Sequence, residues 1–407
     1  MGRSSAEVVI IGAGVLGCAI AYHLAGLGMQ TLVLERLDVA QGSTARAAGL
    51  LTRVRAKSDL MALVRATYED LERLQAETGE PLGARRTGSL HVGASPDAKA
   101  AHRAMMDLAA AGGEAVRWIG AREAMAMVPW LRLRGDEEVF STPGDAYIDG
   151  HALAWGYARA ARARGARILV GEAVLEVQVE RGRATGVRTA GGVVAAGAVV
   201  VAAGPWSNLL AWGAGAPIPM APVRSHYWIT APDRRFPPDM PFLVLPDARA
   251  YTRPEVGALL VGLRESRSVH ADPRTLPEDL RGHVVAGDPD GWSSLEEGAP
   301  GFGAFFPGFG DVAIAHYVSG YSMYVPDGRS AVGRLPGVEG LFSGAGCSGG
   351  GLALAGGLGQ GLAAMIAGAG APVDLAPHDP ARFGAFDPFS PEWGRRCADA
   401  RSRKTSG

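Results

Sequence analysis

Apolar residues along this chain fall into two rhythms, short unbroken runs and longer stretches with helical spacing. Val8-Val9-Ile10-Ile11 is an unbroken run, the pattern of a strand covered on both faces. Glycines follow at 12, 14 and 17, then an amphipathic stretch, then Thr31-Leu32-Val33-Leu34 closed by Glu35. The order predicted is strand, glycine turn, helix, strand. Leu60, Leu63, Ala66, Leu71 and Leu74 recur at helical spacing and predict a helix over 58–77. A strand is expected over 87–92 and helices over 98–112 and 121–127. A further helix over 149–164 starts on an Asp cap and stops before Gly165. Short β-branched strands with glycine turns then fill 168–170, 173–180, 184–189 and 193–203.

From Pro222 the rhythm changes. Residues 226–230, 242–245, 250–252 and 259–263 are β-type runs separated by Pro and Asp, as expected of an antiparallel sheet. Residues 266–306 read as irregular, and 312–318 resumes a strand. The last block returns to the opening style, with a strand over 341–345, a glycine loop over 346–351 and a helix over 352–367. The stretch 340–373 carries no charge, but its many glycines and charged flanks fit a buried helix rather than a membrane span. The basic end, 395–407, reads as a frayed tail and not a binding arm.

With 58 glycines in the chain, a lone G-x-G-x-x-G carries little weight. Flanked by two buried-strand patterns and a spaced acid, it specifies a dinucleotide site. Gly12 permits the tight turn, Gly14 lets backbone approach a pyrophosphate, and Gly17 lets the helix pack on the strand. Glu35 falls where a carboxylate accepts hydrogen bonds from the adenosine ribose and repels a 2′-phosphate.

Composition narrows the class. At 407 residues, 47% apolar and 20% charged, the chain is a soluble globular protein long enough for two lobes. A net charge of −1 and the lack of a basic cluster interleaved with aromatics exclude a nucleic-acid partner. Cys18, Cys347 and Cys397 are far apart, which excludes a disulfide framework or metal spacing and fits a reducing, cytoplasmic setting. The first strand begins almost at once, which leaves no room for a signal peptide. Lysine is restricted to Lys57, Lys99 and Lys404.

Several further segments occur in a fixed order: the small-residue loop 42–49, Tyr147-Ile148-Asp149, Val200 through Trp206, Tyr251-Thr252-Arg253-Pro254-Glu255, Val325-Pro326-Asp327-Gly328, and Ser343 through Gly351. With the opening motif, these resemble the D-amino-acid oxidase-like FAD superfamily over nearly the whole chain. The sarcosine oxidase, dimethylglycine dehydrogenase and glycine oxidase group is the most similar. The resemblance implies an α/β fold: a discontinuous Rossmann-like FAD-binding domain (1–85, 145–220 and 325–385), an inserted substrate domain of mainly antiparallel sheet plus helices (86–144 and 221–324), and a C-terminal tail (386–407). It implies FAD held by Gly12, Ala13, Gly14, Val15, Leu16 and Gly17, by Glu35 and Arg36, and by Ser43, Thr44, Ala48, Gly49 and Leu50. Val174 covers the adenine; Ala203, Gly204 and Trp206 follow; Gly344, Gly346, Cys347, Gly349, Gly350, Gly351 and Leu352 bring a helix N-terminus to the flavin.

The chain also departs from that group. Covalent attachment there uses a His or a Cys where this chain has Ala45 or Arg46 and Gly320, so the expectation is non-covalent FAD. A lysine over the flavin is replaced by Leu260. The basic residues that hold a substrate carboxylate align with Ser322 and Gly349, or with Thr52 and Ala353, though Arg53 lies one residue along. The candidates left are Arg46, Arg253 and Arg264, with Arg264 reading first as a surface or inter-lobe salt bridge. Tyr251, Tyr321 and Tyr324 are expected near substrate or flavin, and Asp327 in a turn near the ribityl chain. The function implied is removal of hydride from the C–H next to nitrogen of a small secondary or N-alkylated amine or amino acid, giving an imine. O2, a quinone or an electron-transfer protein would take the electrons. Two alternatives stand beside it: a 2-hydroxy-acid dehydrogenase with His226 as base, and a flavoprotein assembly factor of weak turnover.

Overall fold

The computed structural model describes residues 5–370 and 372–404. Ser5–Ile11 and Thr31–Glu35 pair in parallel, with Val8 opposite Thr31 and Ile11 opposite Leu34. Val15–Gly26 is the helix between them, buried along almost its whole length. On its other edge Ser5–Ile11 pairs in parallel with Gly192–Val201, which pairs in parallel with Leu341–Ala345. Arg167–Val170 extends the sheet beyond Thr31–Glu35. Stretches from the beginning, middle and end of the chain thus converge on one parallel core. Continuous apolar runs form these strands because both faces are covered.

Val15–Gly26, Ser58–Thr78, Gly150–Ala163 and Gly351–Ala367 share an apolar core on one face of this sheet. The glycines of the last helix are where it meets its neighbour. A Cβ on Gly357 would lie 2.5 Å from Leu63 Cα, and one on Gly356 would lie 2.6 Å from Thr67 Cα. Either methyl would force the helices apart. The uncharged stretch is therefore a buried strand and helix, as the pattern predicts. No helix among the described residues is long and apolar enough to cross a membrane.

The second sheet has eight strands, in the order Ile314–Tyr324, Ala221–Thr230, Ala258–Leu263, Ala250–Glu255, Phe242–Leu245, Ser89–Gly93, Glu138–Thr142 and Arg117–Ile119. All its pairings are antiparallel except Phe242–Leu245 with Ser89–Gly93. The strand expected over 312–318 continues to Tyr324, which sets Tyr321 opposite Arg224. Within 266–306, read as irregular, Trp292–Gly303 is helical and buries Leu295 and Phe302; its glycines and Pro300 mask that face in the sequence.

The end of the chain requires a larger correction. Pro391–Ser402 is a helix, not a frayed tail; Ser390 Oγ accepts from Trp393 N at its start. Trp393, Cys397 and Ala398 pack against Ala221, Val223 and Tyr324. Burial of that face holds the helix on the second sheet. Residues 405–407 of the predicted tail lie outside the described residues.

Candidate functional site

A cavity of about 620 Å³ runs from the first glycine turn to the second sheet. Its inner wall is bare backbone for steric reasons. Gly12 has φ of 107°, and a Cβ there would lie 2.5 Å from Ala202 O. A Cβ on Gly17 would lie 2.0 Å from Gly12 O. Val15 N donates to Thr44 Oγ1 at 3.1 Å, which joins the first helix to the 42–49 loop. Glu35 accepts from Ala13 N and Leu37 N, each at 2.9 Å, so its carboxylate is aimed before any ligand arrives. Arg36 lies over the Trp206 ring at 3.7 Å, and its buried Nη2 has no hydrogen-bond partner among the described residues. Gly351–Ala367 begins at Gly350 without a side-chain cap, and Gly350, Gly351 and Leu352 face the cavity. Uncapped helix starts, an oriented carboxylate and an orphaned guanidinium nitrogen fit a dinucleotide extended along this wall. Of the residues expected to hold it, all line the cavity except Ala13, which contributes through Glu35.

At the far end the second sheet forms the opposing wall. The Tyr251 ring packs onto Gly262 so closely that a Cβ there would lie 2.0 Å from its Cζ. Tyr324 and Lys404 meet over Gly349, whose Cβ would lie 2.6 Å from the phenol oxygen and 3.2 Å from Nζ. Lys404 Nζ donates to Ser348 O at 3.3 Å. Burial, with Arg55, Arg264 and Arg401 nearby, holds its amine well below the ordinary lysine range. Arg264 is 7% exposed, and its Nε and Nη2 are buried without a hydrogen-bond partner among the described residues. Burial pushes that guanidinium down to about 10, so it remains charged at neutral pH. The expected surface salt bridge of Arg264 is thus corrected: it forms no ion pair among the described residues and faces the cavity instead.

The other candidates separate clearly. Arg253 is not in the cavity wall: it donates to Ala48 O at 2.6 Å, to Pro254 O at 2.9 Å, and pairs with Glu255. Its role is to tie the 42–49 loop to the second sheet. Arg46 lines the cavity, but its Nη1 donates to Gln41 O and Gly42 O, and its stem fills the space above Gly320. His226 also lines the cavity, with both nitrogens engaged. Nε2 lies 3.0 Å from Leu263 O, so it carries the hydrogen, and Nδ1 accepts from the Tyr317 hydroxyl at 3.2 Å. Burial pushes this imidazole down to about 4. Tyr321 hydrogen-bonds His283 through its hydroxyl at 3.2 Å, while its carbonyl accepts from Ser43 Oγ at 2.6 Å. Burial pushes the Cys347 thiol up to about 12, which leaves it an inert packing group.

Arg55, Arg401 and Lys404 also line this end and were missed from the sequence. For the last two a signal existed. Ser390-Pro391 marks a helix start, and Trp393, Cys397 and Arg401 recur at intervals of four. Basic neighbours hid that stripe.

Residues 7–365 match the protein family described as FAD dependent oxidoreductase. Human mitochondrial sarcosine dehydrogenase is 29% identical over 401 residues, covering 96% of this chain and 43% of that protein. The chain thus spans less than half the length of the first curated relatives it matches. YurR, an uncharacterized oxidoreductase of Bacillus subtilis (strain 168), is 31% identical over 388 residues and covers 92% of this chain and 98% of its own. L-proline dehydrogenase from P. horikoshii has a similar fold, with a TM-score of 0.82 at 24% identity over 94% of this chain and 98% of that one.

Proposed function

The chain belongs to the family of FAD dependent oxidoreductases, and we propose that it oxidises a small secondary or N-alkylated amino acid at the C–H next to nitrogen. One observation supports this choice above others: the unpaired Nε–Nη2 edge of Arg264, charged and buried in the cavity wall. Those two N–H groups lie side by side in one plane, the fork that matches a carboxylate. The relationship to sarcosine dehydrogenase supports an N-methylated amino acid as the class.

FAD, when bound, supplies a two-electron acceptor for hydride. Gly12, Gly14 and Gly17 leave backbone free to approach its pyrophosphate, Glu35 would hold the adenosine ribose, and the start of Gly351–Ala367 would present positive dipole to the flavin. Arg264 anchors the substrate carboxylate, which orients the adjacent C–H and nitrogen toward the cofactor wall. Tyr251 and Tyr324 close the cavity and exclude water. A neutral amine positioned this way needs no strong base to give up hydride. His226 is therefore not assigned a proton. With both its nitrogens occupied, the 2-hydroxy-acid reading lacks the base it requires.

FAD attachment is taken as non-covalent, since Arg46 fills the space beside Gly320 and Cys347 is inert. Leu260, where the resemblance expects a lysine over the flavin, is fully buried and does not line the cavity, so the acceptor is taken as O2, a quinone or an electron-transfer protein. Three free thiols fit a reducing compartment such as the cytoplasm.

Arg264→Met tests the reading. KM for the reactive amino acid should rise on the order of a hundredfold while the flavin stays bound. An unchanged KM would remove the carboxylate anchor.

A further inference from the structure

Charge around the second-sheet end of the cavity is unevenly matched. Arg401 has Glu265, whose other oxygen is held by Arg224 at 2.6 Å. Arg55 has Asp145 close enough to act on it. Arg264 and Lys404 have no such partner: neither forms an ion pair among the described residues, and Lys404 reaches only a backbone carbonyl. Two basic groups in one buried space therefore lack anions. A monocarboxylate reaches one of them and leaves the other with no anion beside it.

We infer that the cavity takes an amino acid with two acidic groups, one carboxylate at the Arg264 fork and the second at Nζ of Lys404. This rests on the carboxylate role given to Arg264 above and adds the second anion. The geometry allows it, because Lys404 and Tyr324 stand together over Gly349, at the start of Gly351–Ala367, on the same cavity wall. Both can donate hydrogen bonds, so two groups there favour an anion.

Binding of such a substrate is coupled to a proton. Lys404 is faced by Arg55 from the segment after Leu50–Leu51, by Arg264 from the end of Ala258–Leu263, by Arg401 from Pro391–Ser402, and by the Tyr324 phenol. Glu265 lies behind Arg401 and Arg224. Burial and the three guanidinium groups lower the proton affinity of the Lys404 amine in the free protein. A second carboxylate at Nζ supplies the missing counter-charge and raises that affinity again. The proton comes from solvent, and no bond other than N–H is formed.

The test is titration calorimetry of the FAD-loaded protein above neutral pH, in two buffers of different ionisation enthalpy. The probes are propionate as a monocarboxylate and malonate, succinate and glutarate as dicarboxylates. At least one dicarboxylate should bind about tenfold or more tightly than propionate. Its binding should take up protons, and more of them than the binding of propionate does. In Lys404→Met the affinity ratio should collapse and the uptake vanish. Lys404→Arg, always charged, should keep the ratio and lose the uptake. Equal affinities without uptake in the unaltered protein, or an unchanged ratio in Lys404→Met, would overturn the second site while leaving Arg264 in place. Failure of every carboxylate to bind would overturn the Arg264 reading itself.

Discussion

Arg401 and Glu265 form a buried ion pair, Nη1 to Oε2 at 2.5 Å, with each side chain 3% exposed. It joins the last helix of the described chain to the residue immediately after Arg264. The contact therefore sets two things at once: where Pro391–Ser402 docks, and how the strand end carrying the unpaired guanidinium is held. Arg224 takes the remaining oxygen of Glu265 at 2.6 Å, so the carboxylate is fully engaged and cannot swing toward Arg264.

Breaking that pair should cost both stability and binding. Arg401→Met leaves a buried carboxylate with half its partners, a loss of about 3–5 kcal/mol. Urea unfolding should show the loss, and carboxylate affinity should fall with it as the helix that leads into Lys404 loosens.

Gly17→Ala should empty the cofactor site without unfolding the protein. The added methyl would lie 2.0 Å from Gly12 O, so the first turn must open away from the pyrophosphate path. A fall in FAD affinity of at least about tenfold is expected, read as the ratio of flavin to protein absorbance after gel filtration.

Gly262→Ala should separate substrate from cofactor effects. Its methyl collides with the Tyr251 ring and pushes that ring into the cavity, while the dinucleotide wall is untouched. KM should rise about tenfold with flavin content unchanged, as measured by steady-state kinetics on the purified holoprotein.

His226 gives the fold a defined acid sensitivity. Burial pushes the imidazole from 6.5 down to about 4, so its neutral form is the one the fold accommodates. A depressed folded value contributes stability that is complete above 6.5 and is lost as pH falls toward about 4. The size is about 3 kcal/mol across that window. His226→Gln should flatten this part of the stability–pH curve, measured by urea unfolding at a series of pH values.

Legibility in the sequence followed locality. The opening strand, turn and helix were readable because Val8 through Glu35 specify their own contacts within thirty residues. The antiparallel character of the second sheet was readable from its Pro- and Asp-separated runs, but its full strand lengths were not, since polar residues such as Ser322 are paired inside the sheet. Arg253 and Arg264 sit eleven residues apart on adjoining hairpin strands with similar surroundings in sequence. Only the fold shows one bonded to Ala48 and the other left open. Arg401 and Lys404 were hidden for a similar reason, because a basic, polar helix looks like solvent-facing chain until its Trp393–Cys397–Arg401 stripe finds a sheet to cover.

Anaerobic mixing of the FAD-loaded protein with a secondary amino acid, and separately with the same amine lacking its carboxyl group, bears most directly on amine oxidation anchored by Arg264. Bleaching of the flavin absorbance by the amino acid is expected, with the decarboxylated amine at least about a hundredfold slower at equal concentration. Equal rates for the two, or an absence of bleaching across amino acids with one and two carboxylates, would contradict it.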